Sequence, residues 1–330
     1  MLRLTKIWRL LEGRPIIGGP AKWGRAAVNS VIVPITIGVP VFNGADLLDE
    51  CLSCLARQTF RDFKVLIFDN ASTDATPEIA QDWVTRDSRF HYIRQPSNVG
   101  LVANFRDSLR AAESPWFMWR ANDDLSSDNY LETLYRLATQ SPGCKLAVST
   151  VANHYLDGGL RRLAVPPKTS DPTGVQGRIR TLLGFHSGWY HGLWDRQALL
   201  DAFIPVSVNV PFAFSHDTLV LYSAIVDAGV RATDQTTFIK RAHRIAATPR
   251  QSRMPFELMV STRRLFRAEL RRIRKERQLS APLRIALFVT EPLYLNRALP
   301  SLLKMARTKA REVLGIAGNR AAGRHFGPSR

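Results

Sequence analysis

In Lys64-Val65-Leu66-Ile67-Phe68-Asp69-Asn70-Ala71-Ser72-Thr73-Asp74, a run of β-branched and aromatic side chains stops at a carboxylate, and a second carboxylate follows shortly after. Further along, Trp116-Phe117-Met118-Trp119 runs into Arg120-Ala121-Asn122-Asp123-Asp124 in the same manner. Both apolar runs read as buried strands that end where the acids begin. In open α/β sheets, ligands bind beyond the carboxyl ends of the strands, where loops carry the polar groups. Two acidic clusters at two strand ends suit a ligand that brings a polar heterocycle and its own cation. A sugar nucleotide with a divalent metal is such a ligand.

Working outward, the pattern predicts a first strand over 31–41 and a helix over 46–58, with Leu47, Leu48, Cys51, Leu52 and Leu55 on one face. The second strand covers 64–68. Asp74 or Thr76 caps a helix with Pro77 in its first turn, which runs to about residue 85. A strand over 90–94 and a helix over 101–112 lead into the strand at 116–119. This alternation with short connections predicts a parallel sheet covered on both faces. Beyond it, helices are expected over 128–139, 177–183, 196–203, 215–227 and 256–278. A strand is expected over 145–151, and Asp157-Gly158-Gly159 reads as a hairpin turn.

The 330 residues are 45% hydrophobic and 22% charged, ordinary for a globular protein. The best apolar stretch, 285–299, is broken by Glu291, Pro292, Asn296 and Arg297, so no spanning helix is expected. The N-terminus carries no uninterrupted apolar region of the kind a signal peptide needs. Cys51, Cys54 and Cys144 form neither a disulfide framework nor a zinc pattern, which predicts a cytoplasmic protein.

The net charge of +18 is concentrated at the ends. Residues 1–30 hold six Lys/Arg against one acid, and residues 250–330 hold nineteen against five. The middle is nearly neutral. An anionic partner is implied, either lipid or nucleic acid. We therefore divide the chain into a basic lead-in (1–34), two halves of one domain (35–125 and 126–249) and a basic helical extension (250–330).

Val39-Pro40-Val41-Phe42-Asn43, the leucines of the following helix, Gln58-Thr59-Phe60 and Asp69-Asn70-Ala71-Ser72-Thr73-Asp74 together resemble the opening of family-2 inverting glycosyltransferases. Asn98-Val99-Gly100 and Asn122-Asp123-Asp124 continue the same order. The resemblance is strong over 35–125 and loose over 125–245. It implies a GT-A fold, in which a Rossmann-like, mostly parallel sheet has helices on both faces, here with basic helical extensions.

It also implies donor contacts at Pro40, Val41, Phe42, Asn43, Asn98, Gly100, Asn122 and Asp123, with Asp69 on the nucleotide base or ribose. Asp124 would ligate Mn²⁺ or Mg²⁺, a hard cation that takes oxygen ligands and shares the donor's diphosphate. Asn122 departs from the aspartate that many relatives carry there. Asp217, in Phe214-Ser215-His216-Asp217, would be the base that takes the acceptor's proton. His216 stands where relatives have glutamate, and it could contact phosphate or acceptor. A plain helix-start acid remains the other reading of Asp217.

His186-Ser187-Gly188-Trp189-Tyr190-His191-Gly192 reads either as a sugar-stacking segment, led by His186 and Trp189, or as ordinary core. Arg241-Ala242-His243-Arg244 reads as a solvated basic turn more readily than as a diphosphate contact.

The resemblance further implies a nucleoside-diphosphate sugar donor, and a sugar or lipid-linked glycan as acceptor, in surface-glycan assembly at the inner membrane face. The arginine-rich helix expected over 256–278 combines apolar and basic faces, which favours an anionic membrane over nucleic acid as its partner. The main rival is a non-enzymatic binding module with basic ends, for which Asp69, Asp124 and Asp217 would serve no purpose. A pyrophosphorylase would need a Gly-rich phosphate loop after the first strand, and a Rossmann dehydrogenase would need G-x-G-x-x-G there. Neither is present.

Overall fold

The computed structural model describes residues 33–155, 159–167, 171–210, 215–242 and 256–313. The N-terminal lead-in, the turn residues Asp157 and Gly158, and His243 and Arg244 lie outside the described residues. Strand β1, Ile35–Val41, has every side chain buried, as a central parallel strand requires. It pairs in parallel with β2 (Phe63–Asp69) on one side and β4 (Trp116–Trp119) on the other, while β3 (Phe90–Arg94) lies outside β2. The crossovers are helices α1 (Ala45–Ala56), α2 (Thr76–Arg86) and α3 (Leu101–Ala111).

The register Val41↔Asp69 brings the ends of β1 and β2 to one sheet edge. The end of β4 lies on the other side of β1, about 10 Å from the end of β2 across the sheet. Throughout this half, expected and observed boundaries agree to within a few residues.

The second half is more mixed. Strand β5 (Leu125–Ser126) is followed by α4 (Tyr130–Gln140) and then by β6 (Leu146–Tyr155), which forms the expected hairpin with β7 (Leu160–Ala164). Helix α5 (Val175–Gly184), a short 3₁₀ turn (Ser187–His191), strand β8 (Leu193–Asp195) and helices α6 (Arg196–Asn209) and α7 (His216–Val226) lead to β9 (Val230–Ala242). The sheet order is β3-β2-β1-β4-β8-β6-β9-β5, with β7 on β6. Strands β6 and β9 are parallel, whereas β5, β7 and β8 run antiparallel to their neighbours. The parallel order thus holds for the nucleotide-side half and gives way to mixed pairing beyond it.

Three helices follow: α8 (Phe256–Lys275), α9 (Ala281–Ala298) and α10 (Leu302–Val313). The first two share the core with the sheet, because Phe266, Leu270, Ile273, Leu287, Tyr294 and Leu295 belong to the same buried cluster as β1 and β2. The apolar side of α8 therefore faces protein and not lipid, which corrects the expectation drawn from its composition. Several of its arginines are held internally. Arg263 is buried and donates to Asn296 Oδ1 (2.6 Å), and both Arg267 and Arg274 pair with Glu291 of α9. No helix among the described residues is long and apolar enough to cross a membrane.

Candidate active site

Asp69 closes β2 and is fully buried. Its Oδ1 accepts from the Ser72 backbone N–H (2.8 Å), and its Oδ2 accepts from Tyr92 OH (2.6 Å) and Arg94 Nη1 (2.7 Å). Arg94 is the exposed member of this cluster, so an incoming base or ribose would meet its guanidinium beside the carboxylate. The sequence reading missed Arg94, which ends β3 one strand away.

Pro40 and Val41 are buried strand residues, and what they contribute is the position of the loop after them. Phe42 and Asn43 form that loop. The Phe42 ring is half exposed, and Asn43 Oδ1 accepts from Thr73 N (2.8 Å), which ties the two strand ends together. Across the β2 loop, Asn98 Oδ1 accepts from Asn70 Nδ2 and from Gly100 N, both at 2.9 Å, and Asn70 Oδ1 accepts from Val99 N (2.8 Å). Gly100 has φ +88°, a backbone state that side chains rarely adopt, which is why glycine starts α3.

The second acidic cluster rests on α1. Cys51 Sγ donates to Ala121 O (3.4 Å), Cys54 Sγ to Ser126 O (3.3 Å) and Gln58 Nε2 to Ser127 O (2.9 Å). Burial pushes the Cys51 thiol up to about 12, which keeps it a neutral donor to the Ala121 carbonyl. Asn122 packs so closely that a Cβ on Gly44 would lie 2.4 Å from its Nδ2.

Asp124 is buried, and its Oδ1 accepts from the Arg241 backbone N–H (2.8 Å). Burial first, and then the Asp123 carboxylate, push it up to about 7, opposed by Lys240, the Arg241 N–H and Arg120. Asp123 is more open, and neither of its carboxylate oxygens has a partner among the described residues.

Arg120 is fully buried beside this cluster. Its guanidinium lies over the rings of Tyr130 and Phe238, and Nη2 donates to Ser126 Oγ (3.0 Å). Arg241 is not a solvated turn residue. Its guanidinium reaches the Asp123 carbonyl and pairs with Glu50 of α1. Among the described residues, no three His, Cys, Asp or Glu side chains converge as a closed metal cage. Two adjacent carboxylates do fit an open site, in which a hard cation takes its remaining ligands from water and diphosphate.

On the far side, Asp217 opens α7. Its Oδ1 accepts from the Thr218 backbone N–H (2.8 Å), and burial raises its proton affinity against the opposing pull of Lys240. Ser215, at the N-cap position of this helix, makes no capping bond with its side chain and donates its hydroxyl to Ala298 O (3.0 Å).

His216 turns inward. Its Nε2 lies 2.7 Å from Val210 O in a buried setting that lowers its pKa, which removes it as a contact for phosphate or acceptor. Trp189 is likewise core and not a sugar platform, since its ring is buried and Nε1 donates to Ser149 O (3.1 Å). His186 accepts from Gly188 N (2.9 Å) through Nδ1 and is pushed down to about 4, first by burial, so it caps the 3₁₀ turn as a neutral ring.

The group that sequence reasoning missed altogether is Lys240. It stands on β9 opposite Asn153, and no hydrogen bond or ion pair holds it among the described residues. Its charge acts on Asp124, Asp217, His186 and His191 at once. The signal was present: Thr236-Thr237-Phe238-Ile239 runs into Lys240-Arg241 just as the earlier strands run into their acids.

The mostly parallel sheet, with acids in the loops at the carboxyl ends of its strands, agrees with the GT-A fold that the sequence resemblance implied. Residues 36–190 match the profile of glycosyl transferase family 2. It is 33% identical over 102 residues to glycosyltransferase GlyA of Streptococcus pneumoniae, covering 31% of this chain and 14% of that protein. It is 29% identical over 138 residues to the uncharacterized glycosyltransferase EpsJ of Bacillus subtilis, covering 41% and 38%. The chain thus spans well under half the length of these relatives.

Among solved structures, TarS 1–349 of S. aureus in complex with UDP-GlcNAc superposes with a TM-score of 0.58 at 14% identity, over 84% of this chain and 88% of that one. The mannosyltransferase PcManGT of Pyrobaculum calidifontis, in complex with GDP-Man and Mn²⁺, gives a TM-score of 0.50 at 17% identity, over 96% and 88%. These likenesses establish the shared fold.

Proposed function

We propose that this protein is a metal-dependent inverting glycosyltransferase that moves a sugar from a nucleoside-diphosphate donor to an acceptor hydroxyl. The observation that carries this reading is Lys240, whose charge acts on both Asp124 at the donor side and Asp217 at the acceptor side. Arg94, Asp69 and Phe42 form the base and ribose end, and Asn43, Asn98 and Gly100 shape its rim. Asp123 and the free Oδ2 of Asp124 would hold Mn²⁺ or Mg²⁺, and a cation there neutralises charge on the departing diphosphate.

Asp217 takes the proton of the acceptor hydroxyl as its oxygen bonds to the anomeric carbon, and the bond from that carbon to the diphosphate oxygen breaks. A single displacement of this kind inverts the anomeric centre. Lys240 opposes the effect of burial on Asp217, favouring its ionised form, and offers a positive charge to the diphosphate. The acceptor is a sugar or a lipid-linked glycan, in bacterial surface-glycan assembly at the cytoplasmic face of the membrane.

The test is a panel of sugar nucleotides, with and without Mn²⁺ or Mg²⁺, scored by protection against thermal unfolding. A bound donor at about one hundred times its Kd adds about 2.7 kcal/mol of stability. Protection should require the metal and should be lost in Asp69→Ala. Protection by no sugar nucleotide, or equal protection of the Asp69→Ala variant, would overturn the assignment.

A further inference from the structure

We infer that helix α9 is the face by which this protein lies on an anionic lipid bilayer, with the outer arginines of α8 as its charged edge. On α9, Ile285 is 65% exposed, Phe288 73%, Val289 65% and Leu293 58%. At 100° per residue these four fall within an arc of about 140°. Pro282 and Pro292 are exposed between them, and no charged residue interrupts the stripe. The opposite side of the helix is core, with Leu283, Leu287, Tyr294 and Leu295 buried. Leu302 and Leu303 at the start of α10 are exposed as well. A contiguous stripe of this kind on a surface helix marks an interaction site.

The charge beside the stripe selects the occupant. Arg267 and Arg274 of α8 reach Glu291 of α9, which fixes the side of the stripe on which α8 runs. Arg264, Arg271 and Lys275 occupy that same face of α8 at seven- and four-residue spacing, exposed and without a partner among the described residues. Arg284 on α9 and Arg307 on α10 are equally free. A bilayer with anionic headgroups satisfies both features, because apolar side chains enter the acyl boundary while the cations meet lipid phosphates. A second copy could cover the stripe but not the charge, since a two-fold contact through this face would bring like charges together.

The placement matters for the site. Ser215, two residues before Asp217, donates to the carbonyl of Ala298 at the end of α9, so the docked helix ends beside the proposed base. This last point alone rests on the functional reading above; the docking face does not.

The test is flotation of the full chain with vesicles of phosphatidylcholine and phosphatidylglycerol in equal parts, set against phosphatidylcholine alone. The wild type should float with the mixed vesicles. Replacing Ile285, Phe288, Val289 and Leu293 with Ser should lower the partition coefficient about a hundredfold without lowering the unfolding temperature. Replacing Arg264, Arg271, Lys275 and Arg284 with Gln should cost about fivefold per charge removed and abolish the preference for anionic lipid.

A second probe guards against misfolding of the Ser variant. A polarity-sensitive dye on Phe288→Cys, in a Cys144→Ser background, should shift to the blue on mixed vesicles. The inference is overturned by a wild type that floats with neither vesicle, by an unchanged dye spectrum, or by a Ser variant that floats like wild type. A dimer in solution that the Ser variant dissociates would assign the face to a second copy, and RNA binding without vesicle binding would assign the charge to nucleic acid.

Discussion

Replacing Lys240 with Met removes the one cation that, among the described residues, acts on both Asp124 and Asp217, while keeping most of the side chain's length. A unit charge about 6 Å from a carboxylate, at an effective dielectric of about 20, is worth roughly 2–3 kcal/mol. Lys240 is only half-buried, so water reduces this to about 1.5 kcal/mol, or about one pK unit. Its charge holds Asp217 and Asp124 down, so its loss raises both. The base must be ionised to take a proton. The acidic limb of the pH–rate profile should therefore move up by about one unit, and the rate on that limb should fall about tenfold at fixed pH. Because both acids face Lys240, the limb moves whichever of them it reports.

The assay is metal-dependent release of nucleoside diphosphate from the donor that protects best, followed across pH for wild type, Lys240→Met and Lys240→Arg. The arginine variant should restore the limb toward its original position. A Lys240→Met profile that overlays wild type would refute the placement of this charge between donor and base.

Asp217→Asn should keep donor affinity and lose about 10²–10⁴-fold in transfer, because the amide keeps the shape without the basicity; transfer at the wild-type rate would move the base elsewhere. Asp124→Asn should gain stability relative to wild type as pH rises. The pKa of the native acid is raised from 3.8 to about 7, so ionising it costs folded stability progressively across that window, and the amide escapes the cost. A urea-midpoint difference between the two that stays constant from pH 5 to pH 8 would contradict this. Gly100→Ala has open space around its Cβ, so its cost of about 1–3 kcal/mol is backbone strain alone. An alanine variant as stable as wild type would mean that the loop adopts another conformation.

The first half of the fold was legible because a parallel strand buried on both faces is written as one apolar run, and β2 and β4 are such runs. Helix α1 was equally plain from the spacing of Leu48, Cys51, Leu52 and Leu55. Strands β5 and β8 have two and three residues, too few for any period to show. Strand β9 carries Arg231, Thr233, Asp234 and Gln235, so only the short run Thr236-Thr237-Phe238-Ile239 marks it, too weak a signal to place Lys240 at the site.

In the site itself, acids that end strands could be read from order alone. Whether Trp189 and His216 face a ligand or the core depends on what packs against them. The exposed stripe of α9 was hidden for a related reason. Leu287 and Phe288 are adjacent apolar letters in the sequence, and only the fold shows that one is core and the other is surface.

The ladder of Cys51, Cys54 and Gln58 beneath residues 121–127 has a thermodynamic consequence. That segment carries little regular structure of its own, and two cysteines of α1, with Gln58 just past its end, hold its carbonyls in place one turn after another. The entropy of arranging Asp123 and Asp124 is therefore spent when the protein folds, and a donor meets them preorganised. Loosening one rung, as Cys54→Ala would, should transfer part of that ordering cost to the binding step. Calorimetry would read it as a more unfavourable entropy of donor binding, with every group that touches the donor still present.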